Sequence, residues 1–281
     1  MADHLRRLGP GDLTALLGLA SADPVVNVFV ESRLRQGGLD QRWLGGQVWG
    51  RFVGDELVAG CYVGANLVPI GADPDSMRAF GDHAAGQRRT SSTIVGRTEL
   101  VRPFWEALDG AWGEPRELRW RQPHLELRRT DVDSTVERDL QVRRTSAEEV
   151  PVVFPACVAM YTEEVGVSPA DSGGEGLYRA RIEQLVGRGW SFSRIEDDDV
   201  VFKAEVSCAT GAAAQVQGVW VAPHRRGQGL GTRGMAAVVD VVLAEIAPTV
   251  SLYVNEWNTA ARAAYQRIGF QQTAMFSTLM F

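Results

Sequence analysis

Lysine is almost absent from this 281-residue chain: Lys203 stands alone among 29 basic residues, the others being arginine, a bias of the kind GC-rich coding produces. Cysteine is scarce as well. Cys61, Cys157 and Cys208 are odd in number and widely spaced, which excludes a fully paired disulfide framework and fits a reducing cytoplasm. His4, His83, His124 and His224 are scattered, and no CxxC or HExxH spacing gathers metal ligands, so no metal is expected. No run approaches the roughly 18 apolar residues of a membrane helix. The start, MADHLRRLGPGDLTALL, lacks the unbroken apolar core of a signal peptide, since Asp12 interrupts it. A net charge of −6 leaves no footprint for nucleic acid or an anionic membrane. What is present, 45% apolar and 23% charged residues, describes a globular chain, expected in the cytoplasm and long enough for two ordinary cores.

Charged and polar residues crowd Arg128 to Glu149, and Thr130 to Asp139 offers little to bury. The expected division is therefore 1–135 and 140–281. In the second part, Leu140 and Val142 could open a strand. Ser146 to Glu149 matches a capping box before a helix toward Met160, with Pro151 and Pro155 implying a kink or a late start. A helix at 176–189 and a hairpin turning at Glu196–Asp199 follow, then a strand stopped by Pro223 and a helix to about Ala247. TVSLYVNEW is a strand, NTAARAAYQRIG a short helix, and FQQTAMFSTLMF closing β structure. The first part has a fainter version of the same rhythm, with a hairpin at Gly54-Asp55, a helix after Asp73-Pro74 and a second helix at RPFWEALDGAW. A duplicated α+β fold is expected.

HRRGQGLGTRGM, from His224 to Met235, packs four glycines into eight residues before an apolar helix. Three ligands could explain it beside the plain alternative of a surface turn. Gly229, Gly231 and Gly234 satisfy the G-x-G-x-x-G of dinucleotide sites, with Glu256 near the distance of a ribose-binding acid. However, Pro223 to Arg226 separate the strand from the glycines, and only 25 residues follow Glu256, too few for the remaining β–α units. A P-loop fails because no Lys-Ser/Thr pair follows. The third is a diphosphate of another kind: glycines admit it closely, backbone N–H groups face it, and the helix N-terminus favours its charge.

The residues that carry a family resemblance are Val221 and Pro223, then Arg226, Gly227, Gln228, Gly229, Leu230 and Gly231. A second set, Asn258, Ala261, Tyr265, Gly269 and Phe270, fits N-x-x-A-x-x-x-Y-x-x-x-G-F. Both resemble motifs of the GNAT (GCN5-related) N-acetyltransferases. The whole arrangement is similar to an actinobacterial group in which an uncharacterised domain (DUF4081) precedes the acetyltransferase. The resemblance implies a GNAT fold over 140–281, a mixed, centrally splayed sheet flanked by helices, with a degenerate GNAT-like domain before it. It also implies acetyl-CoA as co-substrate and an amine acceptor. Val219, Trp220 and Val221 would hold the pantetheine and acyl group, and Arg226 to Thr232 the diphosphate. Asn258 and Ala261 would lie at the cofactor, and Tyr265 would protonate the leaving thiolate. Many relatives carry a glutamate on the strand before the cradle. Gln215 and Gln217 stand there here, so the amine's proton needs another carboxylate: Glu256, Glu163 and Glu164 are the candidates. A non-catalytic acyl-CoA sensor remains the alternative.

Overall fold

The computed structural model describes residues 3–71 and 73–281; Met1, Ala2 and Ala72, which the sequence places in the first domain, lie outside the described residues. Two compact units emerge, and they cut the chain differently from a linear division at 135–140. The first comprises Met1–Leu125, Tyr253–Trp257 and Gln272–Phe281, and the second Glu126–Leu252 and Asn258–Gln271.

In the first unit, β1 (Asp3–Arg7) is followed by α1 (Leu13–Ser21), α2 (Val28–Gly37) and the short α3 (Gln41–Leu44). Then come β2 (Gly46–Val53), β3 (Glu56–Gly64), β4 (Asn66–Ile70), α4 (Pro74–Ala85), β5 (Thr93–Arg97), α5 (Thr98–Leu108) and β6 (Glu117–Arg128). The final strand of the chain, β12 (Gln271–Met280), pairs antiparallel with β5, Phe276 opposite Arg97 and Met280 opposite Thr93. That pairing is why the C-terminal segment belongs to the first unit rather than to the second. The β2–β3 hairpin turns where expected, at Gly54, whose φ of 62° suits glycine. Helix α5 starts earlier than the sequence implies and runs through Pro103, its apolar face buried by Leu100, Val101, Phe104 and Leu108.

The second unit runs β7 (Arg143–Arg144), α6 (Val150–Val165), α7 (Glu175–Gly187), β8 (Ser191–Glu196), β9 (Asp199–Ala209), β10 (Ala214–Val221), α8 (Leu230–Glu245), β11 (Thr249–Tyr253) and α9 (Thr259–Ile268). Its strands lie in the order β11-β10-β9-β8-β7. The mixed α+β character is as expected, with β10–β11 parallel and β9–β10 antiparallel. One expectation fails: Leu140 and Val142 form no strand. Val142 N–H closes a turn onto the Asp139 carbonyl, and Leu140 is 93% exposed, so β structure begins only at Arg143. The boundary segment is not wholly exposed either, since Asp139 is buried and paired with Arg194. At α6 the Ser146–Glu149 capping box is present, and the helix starts late, at Val150. Pro151 sits in the first turn, where its missing N–H removes no helical bond, and Pro155 is carried inside the helix by the packing of Val153, Phe154 and Cys157.

His124 on β6 is 1% exposed, stacks on Phe276 at 4.8 Å between ring centroids and has Nδ1 3.2 Å from Thr273 Oγ1. Burial first, then the positive charge of Arg97, pushes its pKa down to about 4. An unfolded histidine titrates near 6.5, so the unfolded chain takes up the proton first as pH falls. The stability from neutral His124 is complete above about 6.5 and is lost on the way down to about 4. Urea unfolding at pH 7 and pH 4.5 is expected to differ by about 2–3 kcal/mol more in the wild type than in His124→Phe, which keeps the ring stack. Equal pH dependence in the two proteins would remove His124 as the cause.

Candidate active site

Pairing between β10 and β11 is confined to Ala214↔Val250 and Gln215↔Ser251, although β10 continues to Val221. Beyond Gln215 the two strands part. On its other side, β10 pairs with β9 as Gln217↔Glu205 and then Trp220↔Lys203. Gly218 and Val219 together face only Ala204, a β-bulge, and Gly218 takes a φ of 60° that favours glycine. Val219 thus sits between a bulge and an opening.

After Val221 the chain passes Ala222 into a 3₁₀ turn at Pro223–Arg225, then through Gly227 and Gly229, both at φ 77°, into α8. Among the described residues, the backbone N–H groups from Gly227 to Thr232 donate to no chain acceptor. Those of Gly229 to Thr232 are the first-turn donors every helix leaves unpaired, preceded here by a left-handed glycine turn, an arrangement that suits an anion. A side chain begun at Gly227 would meet nothing within 4 Å, and one at Gly231 would start 3.5 Å from Val221 Cγ2. Gly234 differs, because a Cβ there would stand 2.8 Å from the Phe202 ring. This last glycine lets α8 close on the sheet. Arg226 spans the turn, with Nε donating to the Val221 carbonyl at 3.1 Å and the guanidinium pairing with Glu163 at 2.7 Å.

Tyr265 on α9 is 6% exposed, its ring edge-on to Phe270. A tyrosine kept only for packing normally has a bonded hydroxyl. The Tyr265 hydroxyl bonds to no group among the described residues. Burial, and then the negative charge of Glu164, raises its pKa, so the proton stays on at neutral pH. Asn258 caps α9, its side-chain oxygen accepting from the Ala261 N–H at 3.1 Å.

The expected site residues are therefore partly brought together. Val219 to Val221, Arg226 and the run Gly227–Thr232 are continuous from the opening to the cradle, and Glu164 lies within electrostatic reach of Tyr265. Glu163 is bonded to Arg226 and to Trp220 Nε1, and Arg226 holds its pKa below the usual carboxylate range. Glu256 belongs to the first unit, ion-paired with Arg121 at 2.7 Å.

Comparison with known families resolves the two halves. Residues 46–153 match a domain of unknown function, DUF4081, and residues 173–270 match the acetyltransferase (GNAT) family. The chain carries a GNAT acetyltransferase domain. A GNAT domain performs acetyl transfer with acetyl-CoA as co-substrate, and the unbonded donors and open glycines of the Gly227–Thr232 turn suit a diphosphate. Solved structures of the same fold extend over nearly the whole chain. A GCN5-related N-acetyltransferase from Sphaerobacter thermophilus is 15% identical with a TM-score of 0.65, over 99% of this chain and 95% of that one. A GNAT acetyltransferase from Colwellia psychrerythraea is 15% identical with a TM-score of 0.59, over 99% of each. A tandem GNAT protein from the clavulanic acid biosynthesis pathway is 16% identical with a TM-score of 0.59, over 99% and 98%. At such identities the likeness is one of fold. No curated protein matches the sequence.

The first unit repeats the plan of this GNAT domain but differs from it at two corresponding places. Its β4 and β5 pair in parallel at Asn66↔Thr93 and Leu67↔Ile94, and the ladder ends there. Pro69 stands on β4 beyond that point, and its Cδ would be 3.5 Å from a side chain on Gly96 of β5. Because Cδ is bonded to the proline nitrogen, the ring packs toward β5 there and Pro69 offers no N–H. At the start of α4, Asp73 accepts from the N–H groups of Asp75 and Ser76, and Arg51 bonds the same carboxylate at 2.9 Å. A carboxylate of the chain already fills that helix terminus.

The sequence reading also missed a group beneath the bulge. Lys203 is fully buried, with Nζ 2.7 Å from Glu205 Oε1 and 3.1 Å from the Gly218 carbonyl. Cys157 Sγ donates to Glu205 Oε1 at 3.6 Å, and Gln217 Nε2 donates to Oε2 at 3.5 Å. Burial pulls the Lys203 pKa down, but the Glu205 carboxylate outweighs it and holds the ammonium charged. The available signal was the solitary lysine in an arginine-rich chain.

Proposed function

We propose that the second unit moves an acetyl group from acetyl-CoA directly to an amine acceptor. The observation that carries turnover, as opposed to binding alone, is the hydroxyl of Tyr265: buried ring, retained proton, no hydrogen-bond partner among the described residues. The diphosphate would lie on the N–H groups from Gly227 to Thr232, with Arg226 released from Glu163 to meet it, and the thioester would lie between β10 and β11. Bound acetyl-CoA supplies the acyl group and the thiolate leaving group. The neutral amine adds to the thioester carbonyl carbon, the C–S bond breaks, and Tyr265 protonates the departing sulfur. Backbone N–H groups of β10 offset the negative charge that develops on the carbonyl oxygen. Glu164 takes the amine's proton through water, while the carboxylate of Glu256 is held by Arg121. Carboxylates on α6 suit a cationic acceptor. The occurrence of Gln215 and Gln217 in place of a strand glutamate favours the second reading, an acyl-CoA sensor without turnover.

Calorimetric titration is expected to find a single acetyl-CoA per chain, and thiol release with a panel of amines is expected to show transfer. Two sites would mean that Pro69 and Asp73 do not disable the first unit. Tight binding with neither transfer nor slow hydrolysis would establish the sensor instead.

A further inference from the structure

The Gly218 carbonyl and the Val219 N–H belong to one peptide unit. Among the described residues every peptide bond is trans, so those two groups point in opposite directions. The carbonyl accepts from Lys203 Nζ. The N–H belongs to a residue with no register partner on β9 and none on β11. We propose that Lys203 is a positioning residue of the acyl site: its ammonium, bonded to the Gly218 carbonyl, orients and polarises the peptide whose Val219 N–H bonds the thioester oxygen. This rests on the reading that the thioester lies between β10 and β11.

The physics is that of linked hydrogen bonds. A cation donating to one end of a peptide draws electron density from its N–H and makes that N–H a stronger donor, and a low-dielectric setting enlarges the effect. The effect is needed most when the carbonyl oxygen becomes an oxyanion. Glu205 keeps the ammonium charged inside the protein, and the Cys157 sulfur takes part in the same bonding. A guanidinium would not serve. The cavity is closed tightly: a side chain begun at Gly218 would meet Lys203 Nζ at 3.1 Å, Met160 Cε at 3.2 Å and Glu205 Oε2 at 3.3 Å. A compact ammonium fits there and a planar fork does not. That accounts for the one lysine retained in a chain whose other basic residues are all arginine.

Lys203→Met alone leaves Glu205 buried without a counter-charge, which destabilises the fold. The informative protein is Lys203→Met/Glu205→Gln, which removes both charges at nearly constant volume. The reporter is the infrared carbonyl stretch of isotope-labelled acetyl-CoA bound to the full-length protein without acceptor. In the wild type this band is expected to lie below its position in solution. In the double variant it is expected to move back toward the solution value, with kcat lower by about tenfold or more and coenzyme A affinity within about threefold of wild type. An unchanged band and unchanged kcat in a variant that binds coenzyme A normally would overturn the role of Lys203 and leave the acetyl-CoA site standing. Absence of acetyl-CoA binding by the wild type would overturn the site itself and this proposal with it. A purely structural pair would lower stability and move neither the band nor kcat.

Discussion

Tyr265→Phe is expected to lower kcat by roughly 10²–10⁴, the range typical of losing a general acid, while leaving acetyl-CoA affinity within about threefold, or ~0.6 kcal/mol. The substitution keeps the ring and its edge contact with Phe270 and removes only the hydroxyl. Because that hydroxyl bonds to no described residue, its removal breaks no hydrogen bond of the fold, and unfolding stability should hardly change. The raised pKa matters too. Burial and Glu164 keep the proton on Tyr265 throughout the neutral range, so the wild-type rate should show no alkaline loss from this group until well above pH 10. An unchanged kcat, with chemistry shown to be rate-limiting, would reduce Tyr265 to a packing residue. A large loss of affinity would instead mean that the hydroxyl holds the cofactor.

Gly231→Val should abolish most acetyl-CoA binding without unfolding the protein. Gly231 has no left-handed φ, and a Cβ there would start 3.5 Å from Val221 Cγ2, an ordinary contact. The valine methyls would rise over the N–H groups from Gly227 to Thr232 and keep a diphosphate from reaching them. Affinity is expected to fall by more than tenfold, or over ~1.4 kcal/mol. Gly229→Val should lower affinity as well, but φ 77° adds backbone strain that blurs its interpretation. Gly234→Ala is the structural contrast, since its Cβ would press on the Phe202 ring at 2.8 Å and lower stability. Calorimetry on folded Gly231→Val that returns wild-type affinity would move the diphosphate elsewhere.

Local chemistry made much of the site legible before any coordinates. Glycines at left-handed positions, Pro223 ending a strand, Asn258 capping α9 and Gly269 closing it are all dictated within a few residues. The same holds for the hairpin at Asp197 and Asp198, whose φ values of 48° and 63° suit a tight turn between β8 and β9. Proline was a weaker guide. Pro103 and Pro155 lie inside helices because the apolar packing of α5 and α6 outweighs one lost backbone bond in each.

Long-range pairing was beyond such reasoning. Nothing local to Gln271–Met280 says that it pairs with β5, about 180 residues earlier, and so a linear division of the chain differs from the units its contacts form. Nor does composition reveal that Pro69 packs toward Gly96 where the β4–β5 ladder ends, or that Asp73 occupies the terminus of α4. The sequence by itself determined the glycine turn before α8, the hairpins and the helix caps, because each depends on backbone preferences of a few neighbouring residues, whereas Tyr265 became the candidate acid only through a resemblance of motif. Tertiary structure alone decided which strands part, which carboxylates are already engaged and that Lys203 lies under the bulge, because register and burial depend on partners distant in the chain.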